Sequence, residues 1–289
     1  MTTSAHSNKI FIYGLWGFVS LSFVIAALLS GCGTGGNPDA CEIAVSNSYL
    51  DAAVSDLCGP DENIFSLVPP GMCPGHFDIK PSEVQRLTNC RVLFLFDFQK
   101  NIENAVPRIK QSGLVVFAVE PGQGLCLPDT YLDVVRQVAD ALIEIYPSRK
   151  DSYLLRLEQI RQRMQSLSAA ISLRMHQSGL TGSAVLTSGH QQVFASWLGL
   201  DTVSVFSGSD TATPANINEN LNAARQRPVR FVIANRQEGT GLAGAVGEHL
   251  DVPVVVFSNF PSAADTDGSS PAFDNLVEGN MNALLEAVE

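Results

Sequence analysis

Tyr153-Leu154-Leu155-Arg156-Leu157-Glu158-Gln159-Ile160-Arg161-Gln162-Arg163-Met164 lies at the middle of the chain, and its pattern continues to Met175-His176. Tyr153, Leu154, Leu157, Ile160, Met164, Leu167, Ile171 and Met175 recur mostly three or four residues apart, so a helix here is apolar along one side. Pro147 ends an earlier helical stretch, Thr130 to Ile145, and the second helix runs from about Ser148 to His176. At roughly 1.5 Å per residue it is on the order of 40 Å long. It is too short and too solitary for a coiled coil, so it reads as a packed spine.

Strands and helices alternate on both sides of this spine. Before it, strands are expected at 41–46, 65–68, 91–96 and 114–119, with helices at 48–57 and 81–87. After it, strands are expected at 183–187, 202–205, 229–234 and 252–257, with helices near 190–198, 215–226, 241–249 and 272–288. Runs such as Val92-Leu93-Phe94-Leu95-Phe96 are apolar at every position, as in a parallel sheet covered on both faces. The expected fold is α/β: two lobes, each a mainly parallel sheet flanked by helices, joined by one long backbone helix. The lobes would span 41–146 and 179–289, with 147–178 as the linking helix.

Composition narrows the function. Apolar residues make up 45% of the 289 and charged residues 16%, which excludes a disordered chain. Eighteen Lys and Arg against 29 Asp and Glu leave a net charge of −11, which argues against nucleic-acid binding and against a basic lipid-docking patch. At the amino terminus, Lys9 precedes an apolar run, Ile10 to Leu29, that ends in Leu29-Ser30-Gly31-Cys32. A positive start, an apolar middle and a small-residue end describe an export signal, here over 1–31. Leu-Ser-Gly-Cys also resembles a bacterial lipobox, which implies acylation of Cys32 and a flexible tether over 32–40. The competing reading is an uncleaved transmembrane anchor.

Outside the cytoplasmic membrane disulfides persist. Cys41, Cys58, Cys73, Cys90 and Cys126 follow Cys32. Cys41 and Cys90 each open a strand-like run and can bridge if those strands are neighbours. Cys73 and Cys126 are a second candidate pair. Sequence leaves the pairing open.

Two histidines stand at strand-to-helix junctions, one in each half. His76 lies on the Pro/Gly-stiffened loop Pro69-Pro70-Gly71-Met72-Cys73-Pro74-Gly75-His76, ahead of Pro81-Ser82 and a helix. His190 follows the run Ala184-Val185-Leu186-Thr187-Ser188-Gly189 and opens a helix that leads to Gly199-Leu200. Two lobes facing across a cleft can bring such a pair onto one ion.

These stretches, the long helix between them and the closing Asn280 to Leu284 resemble the substrate-binding lipoproteins of zinc and manganese ABC importers, the cluster A-I family. The resemblance spans about 41–289. It implies a monomeric, lipid-anchored binding protein on the outer side of the cytoplasmic membrane, and not an enzyme. Its cargo would be Zn²⁺, or Mn²⁺ or another transition metal, handed to a permease and its ATPase. It carries His76 and His190 over as metal ligands. A further family histidine falls at Asp129, with Cys126 as a competitor. The family's last acid falls at Ser258-Asn259, with Asp265 or Asp267 as substitutes. Another acid position is Asn235, with Glu238 three residues on. These departures keep two alternatives open: a binder of a metal chelate or small organic ligand, and a surface adhesion or scaffold lipoprotein.

Two motifs are set aside. Gly239-Thr240-Gly241-Leu242-Ala243-Gly244 is a GxGxxG, but Ser258 or Asn259 stands where a dinucleotide site needs an acid, so a tight turn is expected. Ser188-Gly189-His190 lacks the G-x-S-x-G elbow of a hydrolase.

Overall fold

Strand formation follows the apolar runs closely. In the computed structural model of the chain, residues 42–59, 62–68, 79–99, 102, 113–208, 213–262 and 273–288 are described. The first lobe holds β1 (Ile43–Val45), α1 (Ser48–Cys58), β2 (Ile64–Ser66), α2 (Pro81–Leu87), β3 (Val92–Phe96), β4 (Val115–Val119) and α3 (Pro128–Ile145). The spine is α4 (Lys150–Ser178). The second lobe holds β5 (Ala184–Ser188), α5 (Gln192–Trp197), β6 (Asp201–Phe206), α6 (Pro214–Gln226), β7 (Phe231–Asn235), α7 (Gly241–Leu250), β8 (Val254–Phe257) and α8 (Phe273–Val288). Local signals set several helix ends; Pro81 was expected in a first turn, whereas α3 starts at Pro128, ahead of the expected Thr130. Asn47 caps α1 by accepting from the amides of Tyr49 and Leu50, both at 3.0 Å. Pro81 and Pro128 sit in first turns, where a missing N–H costs nothing. The expected tight turn is at Gly239, whose φ of 81° a side chain would strain, just ahead of α7.

Each lobe carries one all-parallel sheet, and the two have the same strand order: β2-β1-β3-β4 and β6-β5-β7-β8. In each, the chain leaves the first strand toward one side and returns on the other. The gap beyond the carboxyl ends of β1 and β3, or of β5 and β7, is therefore a switch point where such sheets bind ligands.

The match extends to side chains. Val45 faces Phe94 in register, and Thr187 faces Ile233. One residue past Val45 and Thr187 stand Ser46 and Ser188. Five past Phe94 and Ile233 stand Gln99 and Glu238, each closing a 3-10 turn. Ser46 Oγ donates to Gln99 Oε1 at 2.7 Å, and Ser188 Oγ donates to Glu238 Oε2. The same frame thus holds an amide in one lobe and an acid in the other.

One hydrophobic core runs through both lobes. It includes Ile43, Val92 and Tyr131 from the first, Ile160, Met164 and Ile171 from the spine, and Val185, Phe231 and Phe257 from the second. Phe273, at the start of α8, is fully buried and stacks on Tyr131 with centroids 4.1 Å apart. Its ring meets that of Tyr49 edge-on at 5.8 Å. Beside these rings, Arg163 on the spine pairs with Asp56 of α1 and, at 3.2 Å, with Asp274 of α8. Among the described residues no helix is long and apolar enough to cross a membrane.

Candidate functional site

A cavity of about 670 Å³ lies between the lobes, at the switch points of both sheets. Asp97, Phe98 and the loop from Pro121 to Leu125 line it from the first lobe. Gly189, His190, Val193, Gln237, Glu238 and Phe260 are among its residues from the second. The turn after β5 delivers His190 here, and the turn after β7 delivers Glu238.

His190 Nε2 is 3.5 Å from Glu238 Oε1. The histidine side chain is 67% exposed and the glutamate 21%, so the acid is the fixed partner and the imidazole the accessible one. Glu238 is held from two sides. Ser188 donates to Oε2, and the loop after β6 passes so close that a Cβ on Gly208 would lie 2.9 Å from Oε1. A lone-pair nitrogen beside an oriented carboxylate is a two-donor arrangement for a divalent ion.

Beneath the pair lies a net of amides. Gln191, fully buried, donates to Asn259 Oδ1 at 2.8 Å and to Asn235 Oδ1 at 3.3 Å. The amide N–H of Asn259 donates to Gln237 Oε1 at 3.0 Å, and Gln237 Nε2 donates to Ser258 Oγ at 2.9 Å. Asn280 on α8 clamps Ser258 both ways, accepting from its N–H at 2.8 Å and donating to its carbonyl at 2.9 Å. That clamp is a physical reason for an asparagine at the head of the Asn280 to Leu284 segment.

Other candidates fall elsewhere. Asp129 is exposed in the first turn of α3 and is not among the residues lining the cavity. Cys126 is a free thiol, which corrects the pairing of Cys73 with Cys126. It is fully buried and donates to the carbonyl of Ser258 at 3.1 Å, tying the head of α3 to the second lobe. Burial pushes its pKa far above the ordinary thiol value, and the Asn280 amide only partly offsets this. Like Asp129, it is not among the residues lining the cavity. Burial also lifts free Cys58, to about 12. In the folded protein at pH 8, iodoacetamide should leave both Cys58 and Cys126 unlabelled, and both should label once unfolded. Peptide mass spectrometry reads this directly, and modification of native Cys126 would overturn the buried-thiol assignment.

Cys90 is disulfide-bonded. Cys32, Cys41, Cys73, His76, Asp265 and Asp267 lie outside the described residues, as does the expected signal and tether. Among the described residues no three His, Cys, Asp or Glu gather as a metal cluster. Sequence reading passed over Asp97 entirely. The signal was available: it follows directly on a fully apolar strand, at a carboxyl end.

The lobes also touch at the cavity's edge. Gly124 has φ 76°, and a Cβ there would meet Leu127 and, across the cleft, Val193, each at 2.8 Å. The positive φ favours glycine here, and any larger residue would have to push these side chains aside.

Residues 43–287 match the family model described as ZnuA, zinc-uptake complex component A, periplasmic. No curated protein matches significantly. Among solved structures, the Mn-bound periplasmic metal binding protein from candidatus liberibacter asiaticus is 12% identical, with a TM-score of 0.72, covering 86% of this chain and 100% of that one. Its Cd-bound form gives the same values. A mutant of the laminin-binding adhesin (Lmb) from Streptococcus agalactiae is 16% identical, with a TM-score of 0.70 and the same coverage. At such identities the likeness is one of fold.

Proposed function

The chain belongs to the ZnuA family of periplasmic zinc-uptake components, and from that premise we propose that it captures a divalent transition metal, zinc first, between its lobes. It would deliver the ion to an ABC permease driven by its ATPase. The observation that carries this is the His190–Glu238 pair, facing the inter-lobe cavity from a switch point. The solved relatives of the same fold include Mn-bound and Cd-bound forms, which supports a divalent cargo.

In this reading the histidine and carboxylate bind the ion from the second lobe, and Ser188 holds the carboxylate. His76 would add a ligand from the first lobe, on the strength of the resemblance alone. Acylation at Cys32 would tether the protein outside the cytoplasmic membrane, and a Cys41–Cys90 bridge would staple the first lobe. No bond of the cargo is made or broken covalently, so the protein acts as a carrier rather than an enzyme. The core shared by both lobes favours a small rocking motion over wide closure.

The test is stoichiometry and affinity, by elemental analysis and calorimetry. The protein should hold one Zn²⁺ per chain, and His190→Ala should lower the affinity by at least about tenfold. A chain that binds no ion, or a His190→Ala variant that binds as well as the parent, would sink the proposal.

A further inference from the structure

The cavity is larger and more apolar than a bare ion requires. Its roughly 670 Å³ is the size of a small-molecule pocket. Pro121, Leu125, Val193 and Phe98 give it apolar walls. Phe98 is the unusual member. It is 54% exposed although its ring lies only 5.4 Å from that of buried Phe96. In the matched frame of the two lobes, four residues past Phe94 and Ile233, its counterpart is Gln237, which is tied into the amide net. The first lobe therefore presents an open aromatic face where the second presents polar groups. The metal-binding pair lies in that second lobe, on the same cavity.

We propose that the cleft takes its ion as a complex with a small aromatic carboxylate chelator; this rests on the metal reading above and names its cargo class. His190 and Glu238 supply two donors. Zinc takes four, sometimes five. A bidentate chelator offering a ring nitrogen and a carboxylate oxygen fills two more, and its flat ring packs on Phe98. Exposed Gln123 and Gln192, also lining the cavity, have amide N–H groups to donate to the carboxylate. Coordination bonds alone form and break, the ion staying Zn²⁺ throughout.

The probe is zinc presented free and as its 1:1 complex with picolinate, titrated into metal-stripped protein by calorimetry. The complex should bind about tenfold more tightly than the free ion. Phe98→Ala should remove that gain and leave the affinity for free zinc unchanged, whereas Phe98→Tyr should keep it. Matching thermal melts of the three proteins establish that they are folded. Free zinc binding as tightly as the complex, with picolinate merely stripping the metal, would overturn this inference and leave the metal reading intact. Zinc bound in neither form would overturn both. A gain that survives Phe98→Ala would remove Phe98 from the site and with it the proposal.

Discussion

Glu238→Gln should cut the affinity for Zn²⁺ by roughly 10–100-fold while leaving the fold unchanged. The substitution keeps the shape and the acceptor that Ser188 needs, and removes only the negative charge beside His190. The first lobe already carries this experiment. There Gln99 occupies the same place in the frame and accepts from Ser46 at 2.7 Å and from Asn47 Nδ2 at 3.1 Å. A glutamine in this frame already accepts from its serine in the first lobe, so the substitution should leave the local geometry in place. Calorimetry beside a thermal melt separates the two effects. An unchanged affinity would mean that the carboxylate only props the histidine, or that the ion sits elsewhere.

Phe273→Ala should be strongly destabilising, costing about 3–5 kcal/mol. The ring is fully buried, stacked on Tyr131 and set edge-on to Tyr49, so its removal leaves a void among aromatics that have little freedom to close it. The loss is a large fraction of an ordinary domain's stability. Because α8 belongs to the second lobe while Tyr49 and Tyr131 belong to the first, the damage should reach both. Urea unfolding should show one midpoint shifted well down, followed identically by circular dichroism and tryptophan fluorescence; Trp197 lies in the second lobe. A shift below about 1 kcal/mol would show that the cavity collapses easily.

The fold was legible because its signals are local and repeated. Parallel strands covered on both faces must be apolar at every position, as Val92–Phe96 is, and helix starts are marked by residues such as Asn47, Pro81 and Pro128. The long spine showed itself through its three-and-four spacing, and the six of its apolar positions that are buried include Ile160, Met164 and Ile171. The site was harder. His190 was readable because it follows a strand and opens a helix. Asp129 and Cys126 were suggested by position alone, and helix α3 turns one to solvent while the other is sealed under Ser258. Glu238 was noted only as an acid near Asn235. What singles it out is a hydroxyl 50 residues earlier in the chain, which no local pattern reveals. The correspondence between Gln99 and Glu238 needs the strand register, which the sequence does not state.

The core shared by both lobes also has a thermodynamic consequence. When cargo binds in the cleft it stabilises the native state by an amount set by its concentration over its dissociation constant. In a molecule of two independent halves, that gain would fall on whichever half made the contacts. Here Phe273 and the spine couple the halves, so the two are expected to melt together. An ion bound at one edge would therefore protect both lobes against unfolding and proteolysis together.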